Sequence, residues 1–317
     1  MGNTRRHPIA PALALLAVFA PPAAAYQPLI TDDTGTQGKR GNQIEASHVQ
    51  SVEKGAGATA TTRMLPLVYT RGLTDTLDAY VGPSYVRFSP PPGEPKGSGA
   101  GNPALGVKWR FHENEAQKLS FAFKPELRLP VSDGAETRGL GSGRSNAGAM
   151  LILTQETGFG AIHANLAVNT NRFALQDNRD LNRSTLWRLS VAPVYEPAPE
   201  WKIALDAGIV TNAHKAEKAG MGYVELGVVF SPNKDLDLAL GVIRDVHHRG
   251  HRVTTATAGV TWRFRQSFPD RRADPVVPRR KAERRRPPRT FRRACAAVFP
   301  LACVSSPDLS GASRTCN

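Results

Sequence analysis

Residues 236–242 read Leu-Asp-Leu-Ala-Leu-Gly-Val, and the same alternation of large apolar with small or charged residues recurs along most of the chain. Leu119, Phe121, Phe123, Leu127 and Leu129 stand against Ser120, Lys124, Glu126 and Arg128. Leu105, Val107, Trp109 and Phe111 stand against Gly106, Lys108 and Arg110. Val260, Trp262 and Phe264 stand against Thr255, Thr257, Gly259, Thr261 and Arg263. A period of two is the strand period; an amphipathic helix would repeat every three to four residues. Beyond the N-terminal stretch there is no run of 18 consecutive apolar residues. A chain of this kind that crosses a membrane must do so as a closed set of strands.

Twelve segments follow the pattern: 43–53, 58–70, 75–88, 104–112, 118–130, 146–156, 161–170, 184–196, 201–211, 220–230, 235–247 and 252–264. The first and sixth are the weakest; Ala147 to Leu153 is apolar on both faces. Links after the second, fourth, sixth, eighth and tenth segments are short. Those after the third (89–103), fifth (131–145), seventh (171–183) and ninth (212–219) are longer, whereas those after the first and eleventh are short again. Short periplasmic turns alternating with longer external loops are a habit of outer-membrane barrels. All four Trp lie on apolar faces. With this topology Trp109, Trp201 and Trp262, together with Tyr69, Phe111, Tyr195, Phe230 and Phe264, fall near the periplasmic ends of their strands, and Trp187 near an outer end. That is the placement of an interfacial girdle, which a soluble sandwich has no reason to build. The predicted fold is all-β: an antiparallel transmembrane β-barrel of about 12 strands in the bacterial outer membrane.

The face assignment follows from energy. A Lys or Arg turned to lipid near the midplane costs roughly 2–4 kcal/mol, and a one-residue slip would reverse every side chain. The face bearing Lys108, Arg110, Lys124, Arg128, Arg188, Lys202 and Arg263 therefore lines the lumen. Lys108, Arg110, Lys124, Glu126 and Arg128 are the candidates for a constriction or a ligand contact, with a structural charge ladder as the alternative. A twelve-stranded interior is intermediate between a filled and an open barrel, so side chains, an inward loop or residues 26–42 are expected to narrow it.

Charge decides what the ends are. The net charge is +14, of which +9 falls in residues 265–317 and +2 in residues 1–25, leaving a middle near neutrality. A uniformly basic domain would suggest nucleic acid; a neutral middle does not. Arg5-Arg6, the apolar run Ile9–Ala20 and Ala23-Ala24-Ala25 form a secretory signal over residues 1–25, with cleavage expected before Tyr26. The barrel occupies 26–264. Residues 265–317, rich in Arg and Pro and containing all three Cys, are read as a disordered tail. It is either a basic arm touching lipopolysaccharide or cell-wall anions, or an appended segment of no selected function; the second is preferred. The middle has no Cys, hence no disulfide framework and no Cys-ligated zinc.

Gly139-Leu-Gly-Ser-Gly-Arg144 lacks the spacing and context of a phosphate loop and reads as an external loop. Asp32-Asp33 reads as a solvated turn, with no ligand cluster at suitable spacing. His247, His248 and His251 cluster in an external hairpin and have metal-ligand chemistry, but no acid or thiol completes a site except Asp245. His163 and Asn165 face the lumen and have no nucleophilic Ser at a hydrolase spacing. No enzyme, metal or cofactor is expected.

Six stretches together carry a resemblance: Pro28-Leu-Ile-Thr-Asp-Asp-Thr-Gly35, Gly41-Asn-Gln-Ile-Glu45, Gly101-Asn-Pro-Ala-Leu-Gly-Val-Lys-Trp-Arg-Phe111, Lys124-Pro-Glu-Leu-Arg-Leu-Pro130, Gly139–Arg144, and Glu156-Thr-Gly-Phe-Gly-Ala-Ile-His-Ala-Asn-Leu166. In this order the chain resembles the outer-membrane barrel family named for transport in the phenol-degradation meta-pathway. The resemblance implies a channel for small, aromatic-type molecules, with no catalytic residues. Its expected partners are outer-membrane lipid and lipopolysaccharide, the barrel-assembly machinery and a small-molecule solute. Barrels of this kind end on an aromatic residue; Phe264 has that context but is followed by the tail. A structural or adhesive barrel with a closed lumen, and a secreted soluble β-protein, are the alternatives.

Overall fold

The computed structural model describes residues 28–55, 58–93, 96–246 and 251–265. The signal segment 1–25, the tail beyond Arg265, and His247 and His248 lie outside the described residues.

The strands are β1 Gly41–Gly55, β2 Ala58–Gly72, β3 Leu77–Gly82, β4 Ser84–Ser89, β5 Gly97–Ala100, β6 Ala104–Asn114, β7 Leu119–Arg128, β8 Asn146–Thr157, β9 Gly160–Thr170, β10 Thr185–Ala198, β11 Trp201–Thr211, β12 Gly220–Asn233, β13 Leu236–Val246 and β14 His251–Arg265. Among the described residues two short helices, α1 Asp133–Thr137 and α2 Gln176–Leu181, lie in the loops after β7 and β9. β3 and β4 form one barrel strand interrupted at Pro83, which has no N–H for the ladder. β5 and β6 form the next, because β4 pairs with β5 and β3 with β6. All pairings are antiparallel, and β1 pairs with both β2 and β14, so the sheet closes as a 12-stranded barrel without an edge. Closure also satisfies the backbone groups that an open edge would leave unpaired in lipid.

The strand bounds fall close to those read from the alternation. The loop expected at 89–103 is the main difference: Gly97–Ala100 extends the fourth barrel strand against Tyr85–Phe88. Its Gly-Ser-Gly-Ala sequence has no apolar face for periodicity to detect.

The outer wall is apolar: Leu240, Leu226, Leu189 and Leu205 are among its most exposed side chains. At the periplasmic end Trp109, Trp201 and Trp262 are each about half exposed. Within the girdle Trp201 packs against Phe230 at 4.7 Å and Trp262 against Phe264 at 4.8 Å between centroids of mutually tilted rings. The lumen is divided. Beside β10–β13 apolar side chains, Leu186, Val210, Met221, Tyr223 and Ile243, pack on Ile30 around the buried Arg188, Asp206 and Glu225. Beside β1–β9 it is more polar, and the cavities there reach β10 on one side and β13 and β14 on the other.

Candidate functional site: the lumen

The N-terminal segment 28–40 has no regular structure and runs inside the barrel. It makes its hydrogen bonds to the wall in sequence order. Ile30 N donates to Glu225 Oε2 at 3.0 Å, and Thr31 N donates to Asp206 Oδ2 at 2.7 Å. Thr31 Oγ1 donates to Ser190 Oγ at 2.8 Å. Asp32 N donates to Asn165 Oδ1, and Asn165 Nδ2 returns a bond to Asp32 O. Thr34 meets Thr154 and Ser120, and Gln37 N donates to Asp78. The segment so crosses from β12 to β3. It rises from the periplasmic rim to mid-lumen, where Pro28 lies over Gly227 and Gly241; a Cβ on Gly227 would stand 2.8 Å from Pro28 Cγ.

Asp32 is the main electrostatic anchor. Its Oδ2 accepts from Lys124 Nζ at 2.7 Å and its Oδ1 from Lys108 Nζ at 3.1 Å; the carboxylate is 2% exposed. Lys108 also donates to Asp33 O at 3.0 Å. Burial alone would raise the Asp33 carboxyl, but the Lys108 ammonium and His163 beside it, with the Gly35 N–H, hold it down at about 2. The solvated turn expected at Asp32-Asp33 is thus overturned. The acids are drawn into the barrel because two lumen lysines would otherwise be buried without counter-charges.

Above this anchor is a second cluster. Glu126 accepts from Tyr80 Oη at 3.0 Å and from Arg128 Nε at 2.7 Å, and Lys124 Nζ lies 5.1 Å from the Tyr80 ring centroid. Tyr80 reaches across β6 because residue 106, directly between, is glycine; a Cβ there would meet the phenol oxygen at 2.5 Å. Four of the five candidates therefore come together in two tiers, Lys108 and Lys124 on Asp32, Glu126 and Arg128 with Tyr80. Arg110 does not join them. It sits at the periplasmic rim with Glu113 at 3.4 Å, beside a bulge between Arg110 and His112.

Cavities lie on both sides of these tiers. The plug separates two periplasmic vestibules of about 850 and 530 Å³, both bordered by Asp33 and Gly35. Tyr80 and Lys124 border the larger vestibule and also a small cavity of about 40 Å³ beyond it. That cavity shares Glu126 and Arg128 with an outer chamber of about 130 Å³. Tyr80, Lys124, Glu126 and Arg128 form the partition between the periplasmic and outer halves.

The outer chamber is roofed by the loop 129–145. Leu140 packs with Val86 and Ala135. Glu136, 2% exposed, accepts from the backbone N–H of Gly143, Ala174 and Leu175 and from Asn178 Nδ2. Burial alone would raise its carboxyl, but these bonds, led by Asn178, hold it below the usual 4.5. Glu136 so latches this loop to the next. Tyr80, Glu136 and the anchor role of Asp32 were missed from the sequence; Asn165 and Arg188 were placed on the lumen face but not among the candidates. A usable signal existed for Tyr80 and Tyr223, aromatics that fall on the polar parity of their strands, away from the girdle.

A closed antiparallel barrel with an apolar outer belt, an aromatic girdle and a charged lumen is an outer-membrane β-barrel. The chain belongs to the family described as "Putative MetA-pathway of phenol degradation", which matches residues 30–264. Its fold is similar to that of an outer membrane channel from Pseudomonas putida F1, with TM-score 0.63 and 13% identity, over 73% of this chain and 98% of that one. It is also similar to the NanC porin, with TM-score 0.48 and 10% identity, over 68% of this chain and 98% of the porin. No curated protein matches the sequence.

Proposed function

We propose that the barrel passes small molecules across the outer membrane by passive diffusion, with the N-terminal segment as its plug. The observation that carries this reading is the pair of lumen halves separated by a partition of four side chains. Beside it, a plug is held by hydrogen bonds, by one shared carboxylate and by burial of Leu29 and Ile30 against the wall. Such a plug can be released without unfolding the wall, whose ladder is independent of it. Lys108 and Lys124 hold the plug, and Tyr80, Glu126 and Arg128 set the constriction; Arg110 serves the periplasmic rim. No step requires bond chemistry, and the barrel works without a cofactor.

The partner surfaces follow from the outer wall. Lys54, Arg63, Arg87, Arg244 and Arg252 are exposed on adjoining strands toward the external end. Their charge supports contact with the phosphates of lipopolysaccharide, and Thr261-Trp-Arg-Phe264 supports recognition by the assembly machinery. Planar-bilayer recording tests the transport reading: discrete current steps from the heat-modifiable protein are expected. A folded barrel without current, with or without its plug, would favour the closed structural barrel instead.

A further inference from the structure

Among the described residues, the buried lumen lysines Lys108 and Lys124 and the half-buried Arg128 each hold a carboxylate. Arg188 does not. This β10 side chain is 7% exposed. Its Nη2 reaches a thioether, Met150 Sδ at 3.5 Å, and its Nε has no hydrogen-bond partner among the described residues. A guanidinium buried with so weak a partner is costly. The nearby acids make other hydrogen bonds; Asp206 and Glu225 share the electrostatic field of Arg188 without touching it, and Glu225 Oε1 has no hydrogen-bond partner among the described residues. Asp206 accepts from Thr31 N and Tyr223 Oη, Glu225 Oε2 accepts from Ile30 N, and Glu126 holds Tyr80 and Arg128. None of the three comes within 4.0 Å of Arg188.

Arg188 borders the small cavity just beyond the partition, together with Arg128, Met150 and Leu186. Arg128, Glu126 and Leu186 continue into the outer chamber, where Phe173 and Leu140 add apolar wall. The space therefore has cationic donors at its inner end and apolar sides toward the exterior. A guanidinium offers a planar fork that matches a carboxylate bidentately. An apolar body attached to that carboxylate would lie against Leu186, Met150 and Phe173.

We propose that Arg188, with Arg128 beside it, forms a subsite for a small organic monocarboxylate with an apolar body, at the outer side of the partition. This deepens the channel reading and rests on it for the route by which the anion arrives. The test is titration calorimetry on the refolded full-length protein with sodium benzoate, benzyl alcohol and benzylammonium chloride as probes. Saturable benzoate binding is expected, at least tenfold tighter than for either of the other probes. Arg188→Gln should weaken benzoate tenfold or more and leave benzyl alcohol unchanged, whereas Arg188→Lys should retain part of the benzoate affinity. Benzoate heats equal in the wild type and Arg188→Gln, or benzyl alcohol binding as tightly as benzoate, would overturn the proposal. If Arg188→Gln does not give a heat-modifiable barrel, the wild-type preference for benzoate over benzylammonium and the Arg188→Lys titration decide it. Bilayer recordings of the same preparations separate the two readings. Current with no benzoate binding removes the subsite and leaves the channel. Benzoate binding with no current removes the channel and leaves the subsite.

Discussion

Replacing Asp32 by Asn should loosen the plug while leaving the barrel folded. The Asp32 carboxylate takes one ammonium on each oxygen, at 2.7 and 3.1 Å, within a site almost closed to solvent. Asn at this position keeps one acceptor and loses the charge, so Lys124 loses its 2.7 Å ion pair and Lys108 keeps only the longer one to Asp33, at 3.5 Å. Breaking a buried ion pair by removing one partner costs about 3–5 kcal/mol. The surviving acceptor and the backbone bonds of Asp32 to Asn165 argue for the lower end. A change of about 3 kcal/mol shifts the docked-to-released equilibrium roughly 100-fold. The wall should be spared, since its ladder includes no plug residue. In planar bilayers the fraction of time in the conducting state should rise at least tenfold, with an unchanged heat-modifiability gel. The Asp32–Lys124 double-mutant cycle, built with Lys124→Met, should show coupling well above 1 kcal/mol. An Asp32→Asn protein that folds normally and records like the wild type would refute the assignment of Asp32 as the anchor.

Other outcomes follow from the same contacts. Gly227→Ala places a Cβ 2.8 Å from Pro28 Cγ and 3.0 Å from Leu29 Cδ2; overpacking of about 1–3 kcal/mol should displace the plug tip and raise the open fraction. The Asp33 carboxyl is lowered from 3.8 to about 2. Its contribution to plug docking is therefore complete above about pH 4 and is lost as pH falls through about 2, an opening that recordings on an acid series should detect and that Asp33→Asn should abolish. Glu136 is likewise depressed from 4.5, so the external latch is intact above that pH and fails on acidification below it. Glu136→Gln should weaken the latch by about 2 kcal/mol and make proteolysis of the loop 129–145 faster and insensitive to pH. Leu240→Arg, on the lipid face near mid-strand, should destabilise the barrel by about 2–4 kcal/mol in reversible unfolding from vesicles. The neighbouring inward position 239 tests whether the register is right.

The strands were legible because lipid outside and water inside impose opposite demands on alternate residues, and most strands from β6 to β14 meet both; β8, apolar on both faces from Ala147 to Leu153, is the exception. β5 was not, since a Gly-Ser-Gly-Ala strand has nothing to alternate. Of the site, the lumen parity of Lys108, Lys124, Glu126 and Arg128 was readable, and Arg188 shared it without standing out. Their grouping was not readable. Asp32-Asp33 lies in a segment without periodicity, and only closure of the barrel brings it to lysines 76 and 92 positions away. Arg110 also faces inward, bordering the periplasmic vestibule of about 530 Å³, but its place beside a bulge near the strand end keeps it out of the two tiers.

The central claim is that a conducting barrel is held closed by its own N-terminal segment. The most direct measurement is the single-channel conductance of the protein with residues 28–37 deleted, beside the wild type, in the same bilayers and with heat-modifiability confirmed for both. Long-lived, stable current steps are expected from the deletion and brief or infrequent ones from the wild type. A properly folded deletion variant that carries no current would contradict the claim.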